Sequence, residues 1–272
     1  MFIIGACVGS FLCCQARRLH HRSTSKGKRS SKFGRRSVCM HCKKQLKWYD
    51  NLPIISWLIL RGRCRHCHKK IGTAELLSEV FSSIAFLILS FTVNPATALP
   101  LDWIIFGFSI ILMSTFIFLA IYDGIYGELP TSCLVLSIVC AAIIAALKFS
   151  AAISISGFSP ALILDPIFAI AILGGLYLIL YIISKGRWVG DGDWLLGTAI
   201  AIALGTPWLA LIALFLSNFL ACLVMYPLIK SSKPSKSTRR KPAAHKIHLG
   251  PFLVAAFILV YSFADFFNVL ID

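Results

Sequence analysis

The stretch Gly190-Asp191-Gly192-Asp193 stands between two long apolar runs and follows the short basic segment 185–187. Carboxylates at the edge of a hydrocarbon segment are costly to hold there, so they are candidates for function. Asp123 occupies a second such place, in Ala120-Ile121-Tyr122-Asp123, where another apolar run ends. We expect these two places to meet in space and to form one site that the other helices support.

The composition predicts an all-α polytopic membrane protein. Of the 272 residues, 58% are hydrophobic and only 14% are charged, whereas soluble domains are about a quarter charged. The apolar residues form long uncharged blocks, which indicates about eight transmembrane helices. The predicted spans are residues 2–16, 73–92, 102–122, 130–147, 165–184, a sixth that begins before Trp194 and ends at 204, 208–229 and 248–272.

The distribution of basic residues predicts the orientation of these helices. Three segments, 17–70, 185–187 and 230–246, hold 26 of the 27 Lys and Arg residues, and Lys148 is the exception. Basic loops stay in the cytoplasm and lie near anionic headgroups, so both termini are expected outside. This topology accounts for the net charge of +16, and because no groove-reading motif accompanies it, a nucleic-acid partner is not expected.

Four of the ten cysteines form the pairs Cys39-Met40-His41-Cys42 and Cys64-Arg65-His66-Cys67, with 21 residues between them. Two such turns can point four thiolates at one ion, which is typical of a structural zinc site. A redox pair or unligated thiols remain alternatives, as do His41, His66 and His68 as ligands. We therefore predict a zinc-binding domain in the cytoplasmic loop between the first two spans, with Cys39, Cys42, Cys64 and Cys67 as ligands.

The aromatic segment 48–57 between the two cysteine pairs allows two interpretations. Its Trp, Tyr and Pro residues suit an element that rests on lipid headgroups, or they form the small core of the zinc domain. Glu75 and Glu79 follow it at i,i+4 spacing on one helix face. They are solvated, or they are paired with Lys69 or Lys70, or they are functional.

Asp123 ends an inward-running span and Asp193 begins an outward-running one, so both are expected at the same depth. Two carboxylates in a low-dielectric site share a proton, which lets one activate water while the other donates to a carbonyl oxygen. This is the chemistry of an aspartic peptidase. An aspartate-dependent ion or proton-coupled carrier fits the same spacing equally well, and Asp191 competes with Asp193 for the role.

Five blocks stand in order along the chain: Gly9-Ser10-Phe11-Leu12 with Arg18; Cys39 to Glu79 with Asn51-Leu52-Pro53, Ser56-Trp57 and Arg61-Gly62-Arg63-Cys64; Asp123 with Leu129-Pro130; Gly190-x-Gly192-Asp193; and Gly250-Pro251-Phe252. Together they resemble the type IV prepilin peptidases, which are GxGD intramembrane aspartyl proteases. Cys13, Thr131 and Leu195 depart from that pattern, where the family often has Asn, Asp and Lys.

The resemblance implies Asp123 and Asp193 as the catalytic pair of a peptidase in the inner membrane. Such enzymes cleave the leader of type IV prepilins and pseudopilins at the cytoplasmic membrane face, in pilus or type II secretion systems. Many then methylate the new N-terminus with S-adenosylmethionine, for which the binding residues are unknown. Glu79 and the 51–53 region are candidates for contact with the substrate or with the methyl donor. The implied division is a first transmembrane helix (1–16), a basic loop with the zinc domain (17–72) and an aspartyl protease domain (73–272).

Overall fold

The computed structural model describes residues 1–24, 38–39, 41–231 and 248–264. The chain divides into two compact units, Met1–Ser90 and Phe91–Asp272, here called unit 1 and unit 2. Every named element in the described residues is a helix. The β-structure of these residues is limited to two isolated β-bridges. The all-α class is confirmed. Most of the basic segment 230–246 and the predicted C-terminal end of the chain lie outside the described residues.

Unit 1 consists of two long helices and a short one. They are α1 (Phe2–Thr24), α2 (Ile55–Ile59) and α3 (Thr73–Leu89), with single 3-10 turns at Trp48–Asn51 and Ser90–Thr92. Helix α1 continues past the predicted end at residue 16, because the basic residues that follow are compatible with a helix outside hydrocarbon. The part of α1 that is long and apolar enough to cross a membrane is Phe2–His21.

Small residues bring α1 and α3 together. A Cβ at Gly5 would lie 2.5 Å from the carbonyl oxygen of Ser82, and a Cβ at Gly9 would overlap the Ser82 hydroxyl. That hydroxyl donates to the carbonyl of Gly5 at 2.7 Å. Such contacts drive helix association in a bilayer, where apolar surface alone gives no advantage. The Gly9-Ser10 motif therefore has a packing role.

Unit 2 contains the remaining seven helices. They are α4 (Pro100–Tyr126), α5 (Thr131–Ser156), α6 (Ala161–Ile170), α7 (Leu176–Ser184), α8 (Asp193–Leu204), α9 (Pro207–Ser231) and α10 (Gly250–Ser262). A π-helical turn, Ala171–Gly175, joins α6 and α7 into one continuous segment. By length and composition six helices of the described chain can cross a membrane, and α8 and α10 are shorter apolar helices.

Two of the predicted helix starts are wrong and a third is confirmed. Helix α6 begins at Ala161 rather than at Asp165, and Pro166 lies inside it, which neighbouring helices make tolerable in a membrane. Helix α8 begins at Asp193, before Trp194 as predicted, and follows a turn at residues 191–192. Helix α4 begins at Pro100, two residues before the predicted start at 102. The α4 N-cap is Leu99, and the carboxylate of Asp102 accepts its backbone N–H at 2.8 Å.

The core of unit 2 packs α4, α8 and α10 together. Phe116 of α4 packs edge-to-face on Phe257 of α10, with ring centroids 4.8 Å apart. Both rings are fully buried, and such a pair contributes about 0.5–1.5 kcal/mol beyond its buried area. Helix α5 packs along both α4 and α8. These contacts fix the last turn of α4 relative to the first turns of α8 and α10.

Candidate active site and metal centre

Asp123 lies in the last turn of α4 and is only 5% exposed. Its Oδ2 atom accepts a hydrogen bond from the backbone N–H of Gly250 at 3.0 Å. A Cβ at Gly250 would lie 2.7 Å from that oxygen, so the first turn of α10 comes this close only because residue 250 is glycine. The Nδ1 atom of His248 lies 3.6 Å from Oδ1. The carboxylate is thus held from the α10 side by a backbone donor and an imidazole.

Asp193 is the first residue of α8 and is also 5% exposed. Its Oδ2 atom accepts the backbone N–H of Gly190 at 2.7 Å, which closes the glycine-rich turn over the carboxylate. A negative charge at a helix N-terminus is also favoured by the helix dipole. Asp191, between the two glycines, is exposed. The turn therefore buries one of its two carboxylates and leaves the other at the surface.

The two aspartate-bearing segments touch through Leu129. This residue lies in the loop 127–130 that follows Asp123 and α4, and a Cβ at Gly192 would lie 2.6 Å from the Leu129 Cβ. Gly192 directly precedes Asp193. The turn before α8 and the loop after α4 are therefore packed against each other, at the end of unit 2 where both buried carboxylates lie. The catalytic role of this pair stays a prediction.

Two residues near the carboxylates were missed by the sequence analysis. His248 precedes the Gly250-Pro251-Phe252 block, and its ring covers Gly127, whose Cβ would meet the imidazole at 2.5 Å. Tyr177 is fully buried against Gly197, one turn along α8 from Asp193, and its hydroxyl accepts the amide of Asn218 at 3.4 Å. The position of His248 next to the Gly250-Pro251-Phe252 block could have indicated from the sequence that it lies at the site. Nothing in the sequence distinguishes Tyr177 from its apolar neighbours.

The four predicted metal ligands cluster in unit 1. One thiol atom from each of Cys39, Cys42, Cys64 and Cys67 lies within 4.8 Å of the others, and the Sγ atoms of Cys39 and Cys67 are 3.9 Å apart. Zn–S bonds of about 2.3 Å in a tetrahedron place sulfurs about 3.8 Å apart. The cluster therefore fits one tetrahedral ion, and the histidines are not needed to complete it.

The two CxxC turns have the same backbone geometry. In the first, the N–H of Cys39 donates to Lys44 and its carbonyl accepts from Lys43; in the second, Cys64 pairs in the same way with Lys69 and His68. The residue after each pair has a left-handed backbone, with φ of 59° at Lys43 and 54° at His68. Each turn is flanked by one β-bridge. Two equivalent turns thus present two thiols each to a common centre.

The thiols of the second turn differ in acidity. Backbone N–H groups of Cys67 and His66 lower the pKa of Cys64 to about 7. The N–H of Lys69 lowers the pKa of Cys67, but burial and the neighbouring thiols outweigh it and raise that pKa to about 11. Four crowded thiols cannot all ionise without a cation, whereas a bound metal deprotonates them. The cluster therefore needs a bound cation to hold all four cysteines as thiolates.

The two glutamates of α3 have structural partners. Glu75 forms an ion pair with Arg17 of α1 at 2.6 Å, so the predicted pairing with Lys69 or Lys70 is wrong. Glu79 is buried, and its carboxylate accepts the backbone N–H of Ile54 at 2.7 Å. Ile54 has a φ of 62°, which is strained for a β-branched residue. Glu79 therefore holds the turn that follows Asn51-Leu52-Pro53.

The residues of segment 48–57 do not all fit the same one of the two interpretations given above. Asp50 binds Arg65 through an ion pair of 2.9 Å, and the guanidinium lies 5.0 Å from the centre of the Tyr49 ring. Trp57 packs on Gly62. These residues form the small core of the cysteine-rich module. Trp48, by contrast, is 78% exposed.

Comparison with known proteins finds similarity in the N-terminal region. Residues 3–93 match the family model of the bacterial peptidase A24 N-terminal domain. A prepilin leader peptidase/N-methyltransferase of Vibrio cholerae is 36% identical over 86 residues, 30% of this chain and 31% of that protein. An Escherichia coli enzyme named for leader-peptide processing of type 4 prepilin-like proteins is 46% identical over 55 residues, 20% of each chain.

A third relative, from Dichelobacter nodosus, is also named prepilin leader peptidase/N-methyltransferase and is 31% identical over 94 residues, 35% of this chain and 30% of that protein. The matched part spans less than a third of the length of these curated relatives. No solved structure matches the chain. The resemblance to the type IV prepilin peptidases predicted from the motifs is confirmed, and the N-terminal third carries it.

Proposed function

We propose that this protein is an aspartic endopeptidase that removes the leader peptide of type IV prepilins and pseudopilins, with Asp123 and Asp193 as its catalytic residues. The observation that carries the proposal is the burial of one carboxylate in each of two adjoining segments, where each accepts a hydrogen bond from a backbone N–H. The N-terminal match supports the substrate class, because the relatives are named for prepilin processing.

The chemistry follows from two carboxylates in a low-dielectric site, which hold one proton between them. The ionised carboxylate takes a proton from water, whose oxygen then attacks the scissile carbonyl carbon. The protonated carboxyl donates its proton to the carbonyl oxygen. When the tetrahedral intermediate collapses, the C–N bond breaks and the proton taken from water passes to the leaving amine. The proton on one hydroxyl of the intermediate returns to the other carboxylate as the C=O bond re-forms, so the dyad again holds one proton.

Two further groups at the site suit this chemistry. The backbone N–H groups of Gly190 and Gly250 each donate a hydrogen bond to one aspartate and so orient its carboxylate. His248 approaches Asp123 from a partly exposed position, with 41% of its side chain accessible. Asp191 is exposed and has no part in the reaction.

The cysteine cluster would hold one Zn²⁺ through Cys39, Cys42, Cys64 and Cys67. With four protein thiolates the ion has no open coordination position, so its contribution is to fold the segment that carries them. No catalytic step uses it. The two equivalent CxxC turns and the Sγ separation of 3.9 Å support this assignment.

N-methylation of the new N-terminus is part of the proposal, because it appears in the names of the relatives. The donor would be S-adenosylmethionine. The described residues contain no strand followed by a glycine-rich loop and a helix, which is the usual cradle of a nucleotide cofactor. We therefore assign no residue to the donor and derive no methyl-transfer step.

The protein would act in the inner membrane with its basic loops in the cytoplasm and both termini outside. The six long apolar helices support a multi-pass location. The positive-inside rule supports the orientation and the contact with anionic headgroups. Helices α4 and α8 then run so that both aspartates lie at the cytoplasmic side, where the basic leader of a membrane-bound prepilin is accessible.

A processing assay with purified membranes tests the proposal. A prepilin with a Gly-Phe junction is incubated with wild type, Asp123→Asn, Asp193→Asn and the matched control Asp191→Asn. Leader removal should fall at least about 1,000-fold for Asp123→Asn and Asp193→Asn, whereas Asp191→Asn should retain it. A gain of about 14 Da on the wild-type product reports methylation separately. Equal processing by all four proteins excludes the dyad.

A further inference from the structure

A cavity lies at the other end of unit 2 from the two aspartates. Asp102 lies in the first turn and Asp123 in the last turn of the same helix, α4, and the 21 residues from one to the other span about 32 Å, close to the thickness of the hydrocarbon core. The cavity has a volume of about 550 Å³ and is formed where α4 begins and where α5 and α10 end. It therefore opens at the opposite membrane face from the proposed active site.

This cavity contains one cation and one anion that have no ion-pair partner among the described residues. Lys148 reaches it from α5 and Asp102 from α4, and neither belongs to an ion pair in the described chain. Lys148 is the one basic residue between 73 and 184. Since the loops at this face otherwise avoid positive charge, a lysine here is unexpected unless it meets an anion.

The lysine is held in place by an aromatic ring. Its Nζ atom lies 4.9 Å from the centre of the Tyr261 ring of α10, a distance at which the ring stabilises an ammonium group. This contact uses one side of the ammonium, which still has hydrogens to donate. The position of the charge is therefore fixed before any anion binds.

Two hydroxyl groups in the cavity have unused hydrogen-bonding capacity. Ser109 donates its only proton to the carbonyl of Ile105 at 2.9 Å, so in the 2.9 Å contact between Ser109 and Tyr261 the tyrosine must donate. The Tyr261 oxygen can then still accept a hydrogen bond. The Ser262 hydroxyl is buried and has no partner in the described part of the chain. A buried polar atom of this kind is normally satisfied.

The rest of the wall is apolar and faces the region where lipid begins. Phe91, Leu101, Ile105 and Phe106 line it, and Phe91 is 76% exposed. A soluble ion would leave this surface uncovered, whereas a lipid can cover it with the upper part of its acyl chains. The combination of an apolar wall, a fixed ammonium and a separate carboxylate matches a headgroup that has both a phosphate and an amine.

We propose that this cavity binds a zwitterionic phospholipid headgroup of the phosphatidylethanolamine type. Lys148 and the Ser262 hydroxyl would bind the phosphate, and Asp102 and the Tyr261 oxygen would bind the primary amine. Asp102 disfavours a purely anionic headgroup through charge repulsion. This inference does not depend on the proposed peptidase activity, because the cavity and the aspartate site lie at opposite ends of α4.

Native mass spectrometry of the full-length, delipidated protein in detergent tests this proposal. The ligands are phosphatidylethanolamine, phosphatidylglycerol and the chain-free headgroup glycerophosphoethanolamine. Wild type should bind one phosphatidylethanolamine at least about tenfold more tightly than phosphatidylglycerol, as expected for one or two charge-assisted hydrogen bonds. The chain-free headgroup should bind more weakly than the lipid, since it does not cover the apolar wall.

Charge variants separate the two halves of the site. Lys148→Met should lose at least about tenfold in phosphatidylethanolamine affinity, and Lys148→Arg should keep most of it. Asp102→Asn should lose the preference for phosphatidylethanolamine over phosphatidylglycerol while still binding lipid. A thermal melt without added lipid checks that each variant is folded. Equal lipid binding by wild type and Lys148→Met, or a wild type without any preference, overturns the proposal.

Discussion

At the scale of single residues, the proposed site depends on a few close contacts to buried carboxylates. Asp123 touches α10 through the backbone of Gly250 and through the imidazole of His248. Asp193 accepts the backbone N–H of Gly190, three residues earlier in its own segment. Asp123 is therefore the carboxylate that α10 and a residue that precedes its first turn contact through these two groups. We expect substitutions on α10 to act through it.

His248→Leu should lower kcat for leader removal about tenfold while KM changes less than twofold. The imidazole faces Oδ1 of Asp123 at 3.6 Å, and a positioned proton donor or acceptor contributes about 100-fold or more when it acts directly, so an indirect role should be smaller. His248→Gln keeps a polar group at this place and should restore part of the rate. An unchanged kcat for His248→Leu would show that the imidazole has no influence on the dyad.

Gly250→Ala should lower the rate of leader removal at least tenfold, while the packing of α10 elsewhere changes little. Its Cβ would lie 2.7 Å from Oδ2 and 3.2 Å from the Cβ of Asp123, and overpacking of this kind costs about 1–3 kcal/mol. Gly107→Ala is the matched control on α4, because a Cβ there meets no atom within 4 Å. The measurements are the processing rate and the melting temperature in detergent. Full activity of Gly250→Ala contradicts the predicted contact.

At the scale of elements, the contact between the loop after α4 and the turn before α8 determines where Asp193 lies. Leu129 fills the space above Gly192, and α5 packs on α8 and continues from the same loop. The position of Asp193 therefore depends on a side chain that belongs to the Asp123 segment. The cysteine-rich module also depends on a contact between elements, since the carboxylate of Glu79 in α3 accepts the backbone N–H of its strained residue Ile54.

Gly192→Ala should destabilise the fold by about 1–3 kcal/mol, because its Cβ would overlap Leu129. The double variant Gly192→Ala/Leu129→Gly removes the Leu129 Cβ, which lies 2.6 Å from the added methyl group, and should recover a large part of the processing rate that the single variant loses. The coupling is measured as a double-mutant cycle on activity and melting temperature. Additive effects of the two substitutions would contradict direct packing between them.

Purified protein should contain about one zinc per chain, because four thiolates complete a single tetrahedral site. Cys64→Ser or Cys67→Ser should lower the zinc content and make the segment 38–70 sensitive to proteolysis. Cys222→Ser is the matched control, since Cys222 is an exposed cysteine of unit 2. Metal analysis and limited proteolysis give the readouts. A stoichiometric zinc content in Cys64→Ser contradicts the predicted ligand set.

At the scale of the whole molecule, the helices and the charges together determine the topology. Six helices of the described chain are long and apolar enough to cross a membrane, and the basic residues concentrate in three segments. Alkaline phosphatase, which is active only outside the cytoplasm, should therefore be active when fused after Asn94 and inactive when fused after Arg187. The reverse pattern would contradict the orientation expected from the positive-inside rule.

The sequence alone determined the all-α membrane class, the four clustered cysteines and the two places where a carboxylate ends an apolar run. These features are local, because span length, cysteine spacing and charge are properties of contiguous residues. The contacts of Leu129 with Gly192 and of His248 with Asp123, and the bond from Glu79 to Ile54, were decided only by the tertiary structure. They join residues far apart in the chain, and helix packing sets their partners, which no periodicity encodes.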